Sequence, residues 1–108
     1  MLKKNLRIRK QKNFDFLYKK GKRTKSKFFA VIFTPNDVGF NRFAFIVSSK
    51  VDKRAVARNK LKRRMREITR ANYNKIKPSF DFIIIAFPQA IKADFNELKA
   101  DLWGFFNK

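Results

Sequence analysis

Residues 54–70 read RAVARNKLKRRMREITR: eight of these seventeen positions are Lys or Arg, and Glu67 is the one acid among them. At helical spacing, Ala57, Leu61, Met65 and Ile68 fall at i, i+4, i+8 and i+11, which lays a narrow apolar stripe along one face. The stripe predicts a helix docked on a core. Arg54, Arg58, Lys62, Arg66 and Arg70 recur every four residues and wind along its exposed flank, with Lys60, Arg63 and Arg64 widening the basic surface. Like charges at this spacing cost an isolated helix roughly 0.2–0.5 kcal/mol per pair. Burial of the stripe must offset that cost, and a bound polyanion would remove it.

The rest of the chain has the same bias. Of 108 residues, 28 are basic and 8 acidic, for a formal charge of +20, the electrostatic footprint of a nucleic-acid binder. A chain of this length builds one domain around one core, burying about 65% of its unfolded surface. A membrane is the rival polyanion, but apolar runs such as those at 43–47 and 82–87 are too short to span a bilayer. The opening MLKKNLRIRK has no continuous apolar region of the secretory type, so a cytoplasmic protein is expected. Cysteine and histidine are both absent, which excludes disulfides and Cys-ligated zinc and removes the commonest general base and metal ligand. There is no Gly-rich phosphate loop, and Ser48 and Ser49 have no base to activate them. The sequence therefore predicts no catalytic residues, no small-molecule substrate and no cofactor bound by the protein alone.

Outward from the basic helix, the chain reads α-β-β-α-β-α. Residues 1–27 hold twelve Lys or Arg, and residues 1–12 read as a mobile basic arm. Phe14, Leu17 and Tyr18 sit at i, i+3 and i+4, with Asn13 as an N-cap and Gly21 as a stop, predicting a short helix. Lys22 to Lys27 is a basic connector with room for a brief strand. FFAVIF at 28–33 reads as a buried strand, the turn residues of 34–41 as a hairpin loop, and 42–49 as its antiparallel partner. Asp52 is the candidate N-cap of the basic helix, which should end near Tyr73. FDFIIIAF at 80–87 is a further strand. Asp94 caps a last helix whose apolar positions are Phe95, Leu98, Leu102, Phe105 and Phe106. Asp94, Glu97 and Asp101 suit the early turns of that helix electrostatically, a better reading than a metal-binding cluster. The whole is one α+β domain over 1–108, a small, mostly antiparallel sheet covered by helices.

Fourteen phenylalanines supply most of the core volume. Where a sheet face stays open, Phe14 or Tyr18 beside Lys50 would offer a stacking surface for unpaired bases, worth ~1–3 kcal/mol per base.

The ten residues RNKLKRRMRE at 58–67 resemble the signature helix of the bacterial ribonuclease P protein family, close to R-N-R-I-K-R-x-x-R-E. Lys60 stands where that family usually has Arg, keeping the charge without the planar fork. Phe14, Leu17, Tyr18 and Gly21 resemble the family's F-x-x-[VL]-[FY]-x-x-G. Residues 47–50 resemble its strand exit, with Ser49 in place of a usual basic residue, and 81–86 resemble its D-[FY]-[IV]-[IV]-[IV]-A strand. The resemblance implies an αβββαβα fold with a left-handed β-α-β crossover. It also implies an accessory subunit of an endoribonuclease, partnered by a catalytic RNA that uses Mg²⁺ to cut the 5′ leader from precursor tRNA. By the same resemblance Arg54, Arg58, Asn59, Lys60, Lys62, Arg63, Arg66 and Arg70 face the catalytic RNA. Phe14, Tyr18, a strand aromatic (Phe29 or Phe33), Ser48 and Lys50 line a cleft for the single-stranded leader. A small ribosomal or other structural RNA-binding protein is the alternative on charge alone; the R-N-K-L-K-R spacing and the aromatic cleft distinguish the two.

Overall fold

FDFIIIA, Phe80–Ala86, is the most continuously buried strand of the molecule, and the sheet is arranged around it. The computed structural model describes Ile8 and residues 11–106. In chain order these form α1 (Gln11–Lys20), β1 (Lys22–Lys25), β2 (Phe29–Pro35), β3 (Arg42–Ile46), α2 (Ala55–Asn72), β4 (Phe80–Ala86) and α3 (Phe95–Phe106). Single 3-10 turns at Tyr73–Lys75 and Pro88–Lys92 flank β4. The order is the αβββαβα of the resemblance, and Lys22–Lys25 is the strand that residue patterning alone left as a connector.

The four strands lie in the order β1-β2-β4-β3. β1 and β2 are antiparallel, β2 and β4 are antiparallel, and β3 runs parallel to β4. This corrects the expected hairpin between 28–33 and 42–49, because β4 sits between those two strands. Burial decides the placement: an apolar strand such as β4 gains most in the interior, flanked on both edges. β3, with α2 as its crossover, takes the outer position. Within the arm expected over 1–12, Gln11 and Lys12 belong to α1, and the Ile8 N–H donates to the Phe43 carbonyl of β3 at 2.9 Å. Residues 1–7, 9 and 10 lie outside the described residues.

Alternation along the strands divides the apolar residues between two faces. Phe29, Val31, Phe43, Phe82 and Ile84 join Leu61, Met65 and Ile68 of α2 and Leu98 and Leu102 of α3 in the main core. Ile32, Ala44 and Ile83 point the other way and pack with Leu17 of α1 and with Ile8. Gly21 ends α1 against β2 with its N–H on the Leu17 carbonyl at 2.8 Å. A Cβ there would stand 2.6 Å from that same oxygen and 2.7 Å from Ile32 Cγ2, so the close approach of helix to strand needs glycine.

Polar contacts between distant residues hold the elements in place. Buried Asp81 accepts hydrogen bonds from Arg42 Nε at 2.9 Å, Arg42 Nη2 at 2.8 Å and Asn36 Nδ2 at 2.8 Å, tying the β2–β3 loop to β4. The same carboxylate raises the Arg42 pKa above its ordinary value. Asp94 and Glu97 exchange side-chain bonds with each other's N–H at 2.8 and 3.1 Å, a capping box that confirms Asp94 as the N-cap of α3. Asp101, expected to serve the early turns of α3 electrostatically, instead bonds outside its own helix. Its carboxylate accepts from Ser26 Oγ (2.6 Å), Phe28 N (3.0 Å) and Lys27 N (3.2 Å), pinning α3 to the β1–β2 turn. None of the described helices is long and apolar enough to cross a membrane.

Candidate nucleic-acid interface

The expected stripe on α2 is the buried one: Leu61, Met65 and Ile68 are in the core, joined near the C-terminal end by Thr69 and Asn72. Ala57 is partly covered. Thr69 Oγ1 and Asn72 Nδ2 donate back to the Met65 and Ile68 carbonyls, at 2.9 and 2.8 Å, and so satisfy themselves locally. The polar residues expected to face RNA then divide by helical angle into two groups. Asn59, Lys60, Arg63 and Arg70 are exposed, whereas Arg58, Lys62, Arg64 and Arg66 are half-buried along the flanks.

Entry into α2 differs from the expectation. The N-cap position is Arg54 rather than Asp52, with no side-chain cap. Asp52 instead accepts the Arg54 backbone N–H at 2.8 Å and pairs with its guanidinium at 2.9 Å. Those bonds to Arg54 hold the Asp52 carboxyl at about 2. Arg58 Nη1 donates to the Asp52 and Lys53 carbonyls at 3.0 and 2.8 Å. Two of the eight predicted polyanion contacts therefore also brace the turn that launches the helix.

On the α1 side of α2, Lys62 and Arg66 line a groove of about 260 Å³ along the edge of β3, facing Ile8 and Phe14 with Ala44 and Phe45 between. Phe14 was expected at an aromatic cleft and Lys62 and Arg66 on a separate basic surface; the fold brings all three to one groove. On the other flank, Lys60 and Arg64 border a second groove with Arg54, Val56 and Ile91. Val56 is 82% exposed, an apolar side chain standing among cations.

The remaining predicted cleft residues do not line this groove. Tyr18 is exposed on α1, with the Arg23 guanidinium 6.0 Å from its ring centre and donating to its carbonyl at 2.6 Å. Ser48 and Lys50 are exposed in the turn that follows β3. Phe29 is fully buried and Phe33 packs against the same core, so both point to the α2/α3 face, away from Phe14. The continuous apolar run 28–33 hid their phase, because an alternating pattern is what assigns a strand residue to a face. Among the described residues, no group of three or more His, Cys, Asp or Glu is placed to hold a metal ion.

A family model described as Ribonuclease P matches residues 2–108. The chain belongs to the ribonuclease P protein family. The ribonuclease P protein component of Syntrophus aciditrophicus is 41% identical over 85 residues, covering 79% of this chain and 71% of that relative. The component of Alkaliphilus metalliredigens is 33% identical over 104 residues, with 96% and 93% covered. Among solved structures, the ribonuclease P protein of Thermotoga maritima superposes with a TM-score of 0.85 at 31% identity, covering 93% of this chain and 94% of its own. That of Staphylococcus aureus gives 0.83 at 31% identity, with 92% and 90% covered. Membership makes this chain an RNA-binding component of the ribonuclease P ribonucleoprotein, with the ribonuclease P RNA as its partner. A purely architectural ribosomal role is set aside.

Proposed function

We propose that this ribonuclease P protein binds the catalytic RNA through the outward cations of α2 and binds the 5′ leader of precursor tRNA in the groove between α1 and α2. In doing so it assists Mg²⁺-dependent cleavage by the RNA, in the cytoplasm. The observation that carries the proposal is the convergence of Phe14, Lys62 and Arg66 on one groove. An unpaired strand needs a ring face for its bases and cations for its phosphates, and this groove supplies both. Asn59, Lys60, Arg63 and Arg70 face outward, where a folded RNA can meet them without entering the groove. Arg54 and Arg58 stiffen the start of that surface while adding charge to it. Ser48 and Lys50, beyond the end of β3, extend the leader's path. The protein contributes positioning and charge neutralisation; the bond-breaking chemistry and the Mg²⁺ belong to the RNA.

The test compares precursor tRNA carrying a leader of several nucleotides with precursor carrying one. Phe14→Ala should leave assembly with the catalytic RNA intact and reduce the preference for the longer leader by about 1–3 kcal/mol. Phe14 is only partly buried, against the smaller core, so thermal unfolding is measured alongside to separate packing from recognition. A variant that melts like the parent and keeps its leader-length preference would remove Phe14 from the leader site.

A further inference from the structure

The α2/α3 face of the sheet carries a second cavity, of about 240 Å³, on the side opposite Phe14. Its walls are rings: Phe33 and Phe82 from neighbouring strands, Phe80 at the start of β4, and Phe105 and Phe106 from the last turn of α3. Phe33 stands 6.3 Å from Phe80, 6.3 Å from Phe82 and 5.9 Å from Phe105, centre to centre. Phe33, Phe80, Phe105 and Phe106 all keep part of their surface exposed, so the core is not sealed here. Water against so many ring faces is unfavourable, and a flat apolar group would displace it.

The rim specifies the kind of group. Thr24 and Lys77 line the cavity, and among the described residues no acidic one does. Lys22 pairs directly with Phe33 across β1–β2, which puts its exposed side chain on the same face. A π-walled slot with a hydroxyl and two ammonium groups at its mouth matches a base attached to a phosphate. A second copy of this chain, also carrying +20, would bring like charge against Lys22 and Lys77. Family membership establishes the ribonuclease P RNA as the RNA partner, and strand alternation turns this cavity away from the α1–α2 groove proposed for the leader.

We infer that this cavity receives an unpaired nucleotide of the ribonuclease P RNA, its base packed against the exposed surfaces of Phe33, Phe80 and Phe105 and its phosphate held by Lys22 and Lys77. The contact is additional to the one made by α2 and does not depend on the leader site.

The test is ultraviolet crosslinking of the reconstituted holoenzyme, with and without precursor tRNA, mapped on the protein by mass spectrometry and on the RNA by reverse-transcription stops. The expected result is a crosslink from the peptides holding Phe33, Phe80 or Phe105 to an unpaired nucleotide of the ribonuclease P RNA, present without precursor tRNA. Lys77→Glu, at an exposed position, should diminish it with no change in melting. Phe105→Ala should weaken assembly by roughly five- to a hundredfold; if it also lowers the melting temperature, Lys77→Glu decides. Crosslinks confined to α2 peptides would overturn the inference. So would pocket crosslinks made only to precursor tRNA, or to a second copy of the protein.

Discussion

Replacing Lys60 and Arg63 together by alanine separates RNA binding from folding, because the two properties should move in opposite directions. Both side chains are exposed on α2, three residues apart, with Arg64 and Arg66 close on the same helix. Each like-charge neighbour removed relieves roughly 0.2–0.5 kcal/mol, so the variant should melt at or slightly above the temperature of the parent. Binding should fall for an electrostatic reason that can be counted. Each phosphate neutralised contributes about 0.7–0.9 to the slope of log affinity against log salt, so losing two should flatten it by roughly 1.4–1.8. If α2 meets about six phosphates, the parent loses roughly a thousandfold in affinity between ~50 and 200 mM salt, and the variant about tenfold less than that. The assay is binding to the catalytic RNA across a salt series, with thermal unfolding of both proteins. A slope unchanged by the double substitution, in a protein that melts normally, would refute the assignment of this face to phosphate.

Two further outcomes follow from the fold. Asp101→Ala removes one carboxylate acceptor from three donors at the β1–β2 turn, among them the N–H of buried Phe28. It should cost about 2 kcal/mol and lower Tm by roughly 8–16 °C, with RNA affinity unchanged well below the transition; an unchanged Tm would mean the turn holds itself. The Asp52 carboxyl, bonded by Arg54, titrates at about 2 in the folded chain, below its unfolded value near ~3.9. Its stabilising contribution is therefore complete above that unfolded value and lost as pH falls through about 2. A carboxyl-carbon NMR titration should find the depressed midpoint, and Arg54→Ala should return it to the ordinary range; an ordinary midpoint in the parent would show the Arg54 contact to be absent in solution.

The helices were legible in the sequence because their apolar spacing is local: Leu61, Met65 and Ile68 on α2 and Leu98 and Leu102 on α3 are buried as their periods require. The sheet was less legible. KRTK at β1 has no apolar alternation, and it is a strand because β2 offers it an edge. No local signal tells β3 to lie parallel to β4 rather than antiparallel to β2; that follows from β4 taking the interior. The same limit governed the candidate site. Lys62 and Arg66 reach Phe14 only through the docking of α1 and α2 on either side of β3, and Phe33 lies on the opposite face because strand phase is unreadable in an unbroken apolar run. Asp101 meets Ser26 across 75 residues of sequence, a separation at which a carboxylate suited to a helix's first turns gives no hint of its partner.

The most direct measurement is precursor-tRNA cleavage at low magnesium in three arms: catalytic RNA alone, this protein alone, and the two together. Cleavage by the RNA alone should be slow, rigorously RNA-free protein should cut nothing, and the complex should cut markedly faster at the same site. Cleavage by the protein alone, or no acceleration of the RNA by the protein, would overturn the proposed role.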